Sequence, residues 1–209
     1  MKIFLSGTGL LLTSVVLTLG APQSVTNTKD SGAGSLRAAI ADAAPGDTIS
    51  FALPAPSTIT LTTNELLIDK ELTITGPGAD QLTVARSSAG DTPAFSIFHV
   101  SSGNFAVTIT SLTVTNGNSS GLTDSGQGGG LYNEGSGTVT VSECTFDGNQ
   151  AYYNGGGVCH NGSGALNLSD CVITGNTNTI GYGGGLAAEN SSGLVTLLHG
   201  TVSSNTSRG

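Results

Sequence analysis

The chain has 209 residues, 6 Lys and Arg against 14 Asp and Glu for a formal charge of −8, 32 glycines and only 10% charged residues. That length suffices for one domain with a continuous core, and the acidic balance excludes a nucleic-acid partner, which needs a basic face. Abundant Gly, Ser, Thr and Asn would suit a disordered chain, but 37% hydrophobic residues set in alternating runs can bury apolar area, so the composition reads as turn-rich all-β.

Residues 1–20 read as a secretory signal peptide. Lys2 supplies the positive start, Ile3 to Leu19 is mostly apolar, and Thr18-Leu19-Gly20 places small residues before a cleavage site at Ala21. The alternative is an uncleaved N-terminal anchor, since the run is near the lower limit for a membrane span. The mature chain contains no second stretch able to cross a membrane.

Residues 21–57 are expected to form an N-terminal cap. Within it, residues 35–44 predict a short helix: Ser35 is a good N-cap, Leu36, Ala39, Ile40 and Ala43 share one face, and Pro45-Gly46 stops it. Such a helix would close the open end of a stacked core, where an exposed rung would otherwise invite pairing with another chain.

From residue 58 onward the chain predicts the coils of a right-handed parallel β-helix. The clearest repeats are 128–154, 155–182 and 183–209, opened by Gly128-Gly129-Gly130, Gly155-Gly156-Gly157 and Gly183-Gly184-Gly185. Alternating strands follow, then Cys144-Thr145-Phe146, Cys171-Val172-Ile173 and Gly200-Thr201-Val202, and each unit closes on Asn149, Asn176 or Asn205. A period in the twenties with short strands is a solenoid signature, and period-two alternation excludes a helical solenoid. Coils stacked about 4.8 Å apart bury their inner faces against one another. Val139, Leu166 and Val195 should therefore form one inward column and Phe146, Ile173 and Val202 another. The three asparagines should stack their amides at a turn and supply its left-handed residue. The glycines should provide positive φ or close backbone approach. Upstream the spacing loosens, and about five turns are expected between 58 and 209. The chain stops where another Gly-rich corner would begin, which reads as truncation. An open C-terminal rung of that kind would favour self-association.

Residues 24–50 resemble the opening cap of large bacterial secreted β-helix proteins. Gly-Gly-Gly-Leu-Tyr-Asn at 128–133 and Thr-Phe-Asp-Gly-Asn at 145–149 look like the chlamydial-type polymorphic outer membrane protein repeat, although Ile173 and Val202 replace Phe146 in later copies. The resemblance implies a pectin-lyase-like superhelix in a protein secreted to, or held at, the outer surface of a bacterial cell envelope, some relatives being adhesins. It carries over no functional residue, because the family is defined by its scaffold.

The sharpest site candidate is a column of Glu143, Asp170 and His199. Carboxylates one rung apart would raise one pKa of the pair and could bind a cation or share a proton. The plainer reading is an exposed, solvated polar column with no basic or aromatic partner. Tyr132, Tyr152, Tyr153 and Tyr182 lie on or near the Gly-rich corners, suited either to stacking on a glycan or protein partner or to shielding the corners. Asp30, Asp47, Asp91 and Asp124 are scattered and mark turns better than a structural calcium site, and no other cofactor is indicated. Cys144 and Cys171 should stack one rung apart. Their Cα separation would permit a disulfide, but parallel Cβ vectors favour two free apolar thiols. The first functional reading is a non-catalytic secreted or cell-envelope module, adhesive or structural, meeting a glycan or a cell-surface or matrix protein. The second is the N-terminal part of a carbohydrate-active enzyme, a polysaccharide lyase or glycoside hydrolase, with its active site beyond residue 209.

Overall fold

Every strand alternates an apolar residue, which must leave water, with a hydroxyl or amide residue that can stay in it. Three such strands per coil enclose a core, and stacking the coils satisfies each strand's backbone from above and below. The computed structural model describes residues 22–121, 126–189 and 192–208, so the signal segment expected at 1–20 and Asp124 lie outside the described residues. It is a parallel β-solenoid of about six turns with one helix.

Three sheets run along the axis. The first has seven strands, from Gln23–Val25 to Val195–Leu198; the second has six, from Ser57–Leu61 to Thr201–Ser203; the third has five, from Leu66–Ile68 to Leu186–Ala188. A small three-stranded sheet forms beside the Asn turns. All strand pairs are parallel and in register, so like residues stack. Ile74, Ile109, Val141, Leu168 and Leu197 form one inward column of the first sheet. Ile59, Val84, Val114, Phe146, Ile173 and Val202 form that of the second. The outward column of the first sheet is Thr48, Thr73, Thr108, Thr140, Asn167 and Thr196.

The solenoid begins earlier than the repeat spacing suggests, with about six turns where five were expected. Gln23–Val25 and Asp47–Phe51, inside the segment assigned to the cap, already pair into the first sheet. Their repeat is hidden because the helix is inserted between them. That helix runs from Leu36 to Asp42, shorter than 35–44, with the Ser35 hydroxyl accepting from the Ala38 amide as N-cap. Leu36, Ala39 and Ile40 are buried on the end of the core. The Lys70 ammonium lies 3.3 Å from the carbonyls of Ile40, Ala41 and Ala43, where a cation complements the helix C-terminus.

Each coil turns at three corners. Ser111, Glu143, Asp170 and His199, with φ between 52° and 57°, turn the chain from the first sheet to the second. Asn116, Gly148, Gly175 and Ser204 turn it at the next corner. The left-handed residue there is the one before the ladder asparagine in the later coils, and the asparagine has a different task. The Asn149 amide nitrogen donates to Asn176 Oδ1 at 3.0 Å, and that of Asn176 donates to Asn205 Oδ1 at 2.9 Å. Gly128, Gly155 and Gly183 take positive φ at the third corner.

At the C-terminal rung the core columns meet no further strand among the described residues. Leu197 and Val202 are 39% and 47% exposed, whereas Leu168 and Ile173 one rung below are buried. Leu194 and Leu198 add exposed apolar surface beside them.

Candidate functional site

Glu143, Asp170 and His199 stack at the first corner as the register requires, all three exposed and all in the left-handed conformation. Their side chains turn opposite ways along the column. Ser111 Oγ donates to Glu143 Oε2 at 2.8 Å, while Asp170 Oδ1 lies 3.8 Å from His199 Nδ1. Residue choice here is governed by the turn: short or flexible polar side chains tolerate positive φ better than branched apolar ones.

A second cluster was not legible from the repeats. Outward on the third sheet, Leu67, His99, Tyr132, Cys159 and Ala187 occupy successive rungs. Glu65 precedes the first of these strands and Glu134 follows the third. His99 Nδ1 lies 2.8 Å from Glu65 Oε1, and Nε2 lies 2.8 Å from Glu134 Oε2. An imidazole with a carboxylate on each nitrogen satisfies both only as the doubly protonated cation. Tyr132 donates its hydroxyl to Glu134 Oε1 at 2.9 Å and stacks on the imidazole with ring centroids 5.1 Å apart. The helix supports the arrangement: Arg37 donates to the carbonyls of Asn64 and Glu65 at 2.6 Å and pairs with Asp30 at 2.6 Å. Asp30 also accepts from Thr62 and Thr63. Burial pushes its carboxyl up, but Arg37 and these hydrogen bonds outweigh it and leave its pKa below the ordinary value. Asp30 is thus engaged as a structural anchor.

The cluster lines a cleft of about 310 Å³ with Asn64, Ala94, Phe95 and Ser96. Burial alone would discharge His99, but the hydrogen bonds and charges of Glu65 and Glu134 outweigh it and hold its pKa above the ordinary value. The stability this pairing supplies is therefore complete below the unfolded-state pKa of about 6.5 and is lost as pH rises through the higher folded-state value. A Glu65→Gln, Glu134→Gln chain should show a lower His99 pKa by NMR titration and a flatter dependence of stability on alkaline pH. An unchanged His99 titration would contradict the bridge.

Chemically, the cluster is spent on itself. Each imidazole nitrogen faces a carboxylate, one carboxylate is further tied by Tyr132, and the two rings cover one another. An acid–base pair acting on a substrate needs a group free to exchange its proton with it.

Two other polar features are internal. His160 Nε2 donates to the Gly164 carbonyl at 3.0 Å, which leaves Nδ1 to accept from Asn133 Nδ2 at 2.8 Å. Burial lowers the pKa of His160, consistent with that neutral tautomer. Cys144, Cys159 and Cys171 are buried and unpaired. Cys144 and Cys171 direct their thiols at carbonyls of the preceding rung, Ile109 at 3.7 Å and Val141 at 3.5 Å, and burial pushes the Cys144 thiol up to about 12. These are inert packing thiols. Cys159 points outward yet is covered, its sulfur 3.4 Å from Gln127 Oε1.

Of the remaining tyrosines, Tyr152 and Tyr153 pack edge to face with centroids 4.9 Å apart, and Tyr182 is 82% exposed. Among the described residues no group of three or more His, Cys, Asp or Glu is placed to hold a metal ion, and no helix is long and apolar enough to cross a membrane. Asp91 lies exposed in a turn and Asp47 is buried at the foot of the first sheet, accepting from the Ala44 amide at 2.8 Å. Comparison with protein-family models, curated proteins and solved structures finds no match to this chain.

Proposed function

We propose that the chain is a non-catalytic contact module, an adhesive or structural stalk of the secreted or cell-envelope kind. The observation that carries this reading is the outer surface of the first sheet, where in-register strands present Thr48, Thr73, Thr108, Thr140, Asn167 and Thr196 in one column and Thr75, Thr110, Ser142 and Ser169 in a second, with no charged side chain in either. Such a surface offers extended contact and no acid–base chemistry. The resemblance of residues 128–149 to the polymorphic outer membrane protein repeat supports the same placement at a bacterial surface.

The full chain should retain ligands from a printed panel of neutral and acidic glycans, or matrix proteins on beads, without turnover. Glu143→Ala and Asp170→Ala together should leave both binding and fold unchanged. Release of unsaturated or reducing ends from a polysaccharide would instead establish the enzyme reading.

A further inference from the structure

The first sheet's outer face carries two hydroxyl columns. Beside the outward threonines already described runs a second column, Thr75, Thr110, Ser142 and Ser169, two residues further along each strand. Neighbours within a column are about 4.8 Å apart, and the two columns are about 6.6 Å apart. The result is a two-dimensional grid of hydroxyls, with a methyl beside each threonine hydroxyl, continuous over several rungs.

Three properties set this grid apart. First, no protein group among the described residues hydrogen-bonds the side chains of Thr73, Thr108 or Thr140, and all three residues are partly exposed. On the second sheet, by contrast, Thr113 donates to the Ala79 carbonyl at 2.7 Å, and its outer columns are broken by Val172 and the carboxylate of Asp147. Second, threonine on a strand is stiff at χ1, so hydroxyl and methyl positions repeat from rung to rung with little rotamer entropy left to lose. Third, the two columns themselves carry no charge and no aromatic ring, the nearest carboxylates being those of Glu143 and Asp170 at the corner beyond Ser142 and Ser169. A mineral or charged polymer finds no counter-charge within the columns, and a sugar ring finds no platform.

A rigid neutral lattice of this kind orders water rather than merely solvating itself. Its two spacings approach those between oxygens on the faces of hexagonal ice, and the methyls leave the adjoining water fewer competing protein partners. We infer that the outer face of the first sheet is an ice-binding surface, centred on Thr73, Thr108 and Thr140. The inference rests on reading the chain as a contact module and names its partner as crystalline water. Asn167 and Leu198 interrupt the grid toward the C-terminal rung, so the rungs nearer the cap carry the activity.

The test is thermal hysteresis and inhibition of ice recrystallisation by the full chain. Wild type should hold a seeded crystal below its melting point and shape its facets. Thr108→Tyr, placed at the centre of the grid, should abolish both effects, while Thr145→Tyr on the second sheet should leave them intact. Thr108→Ser with Thr140→Ser removes only two methyls and should weaken the effect severalfold, which covers a folding failure of the bulkier variant. Thermal melts of all variants report the fold. No hysteresis and no recrystallisation inhibition by folded wild type overturns the inference, as does loss of activity on changing Thr145 but not Thr108. Capture by insoluble crystalline polysaccharide without any effect on ice also overturns it while leaving the contact reading in place. Failure to bind ice, glycans and matrix proteins alike removes both.

Discussion

Replacing Asn176 by alanine is expected to cost roughly 3–5 kcal/mol, from two or three buried groups orphaned at about 1–3 kcal/mol each. Asn176 is buried and serves three rungs at once. Its Oδ1 accepts from the backbone N–H of Asn149 at 2.9 Å and from the Asn149 side-chain amide at 3.0 Å. Its Nδ2 donates to the Phe146 carbonyl and to Asn205 Oδ1, both at 2.9 Å. Alanine removes all four bonds, in a site where Gly157 packs directly against the Asn176 amide. Urea unfolding at neutral pH reads the loss directly; a change below about 1 kcal/mol would show that water replaces the ladder without difficulty. Asn176→Asp discriminates further. The carboxylate keeps the acceptor role for Asn149 but has no proton for Phe146 or Asn205, so it should be destabilised at neutral pH and partly recover once acidified, when one oxygen again donates.

The same asparagine shows why the repeat was readable. A ladder needs the identical residue at the identical place in each coil it joins, so Asn149, Asn176 and Asn205 recur at spacings of 27 and 29 residues, as do the glycines and the apolar columns at similar ones. Upstream, loops of unequal length separate the strands. Leu66, Phe98 and Leu131 stack directly, yet they are 32 and 33 residues apart in the chain. That inequality hid the His99 cluster. His99 alternates with the inward Phe98 and Val100 like any outward strand residue, and only the register brings Glu65 and Glu134 to its two nitrogens. Aligning the triplets 66–68, 98–100 and 131–133, whose last member changes from Ile68 and Val100 to Asn133, would have put His99 beside Tyr132, but Glu65 and Glu134 lie outside the strands and follow no period. The corner column of Glu143, Asp170 and His199 was the opposite case. Its spacing was plain, and its left-handed backbone was not, because no feature of Glu or His in a sequence announces positive φ. The outward threonines were equally plain but look like ordinary strand residues until the register shows them stacked from rung to rung.

The corner glycines set the second large effect. Gly156 follows the positive-φ residue Gly155 but does not itself need a left-handed backbone; what it needs is room. A Cβ built on it would lie 2.2 Å from the Thr177 carbonyl oxygen and 2.4 Å from that of Gly184, both of them backbone atoms. Gly129 one coil earlier is confined in the same way by Gln150 and Gly156, and Gly184 one coil later by Thr206. Neither contact is with a flexible side chain, so the coil must part from its neighbour to admit a methyl group. Gly156→Ala is expected to destabilise the chain by more than about 3 kcal/mol, beyond usual overpacking because no side chain can yield. Gly46→Ala is the informative control for space: it meets nothing within 4 Å, yet its φ of 87° penalises any side chain. Its loss should be near the backbone cost alone, about 1–2 kcal/mol. If equilibrium unfolding ranks Gly46→Ala as the more damaging of the two, corner conformation rather than close approach governs the fold, and the triple glycines would then matter only at their first position.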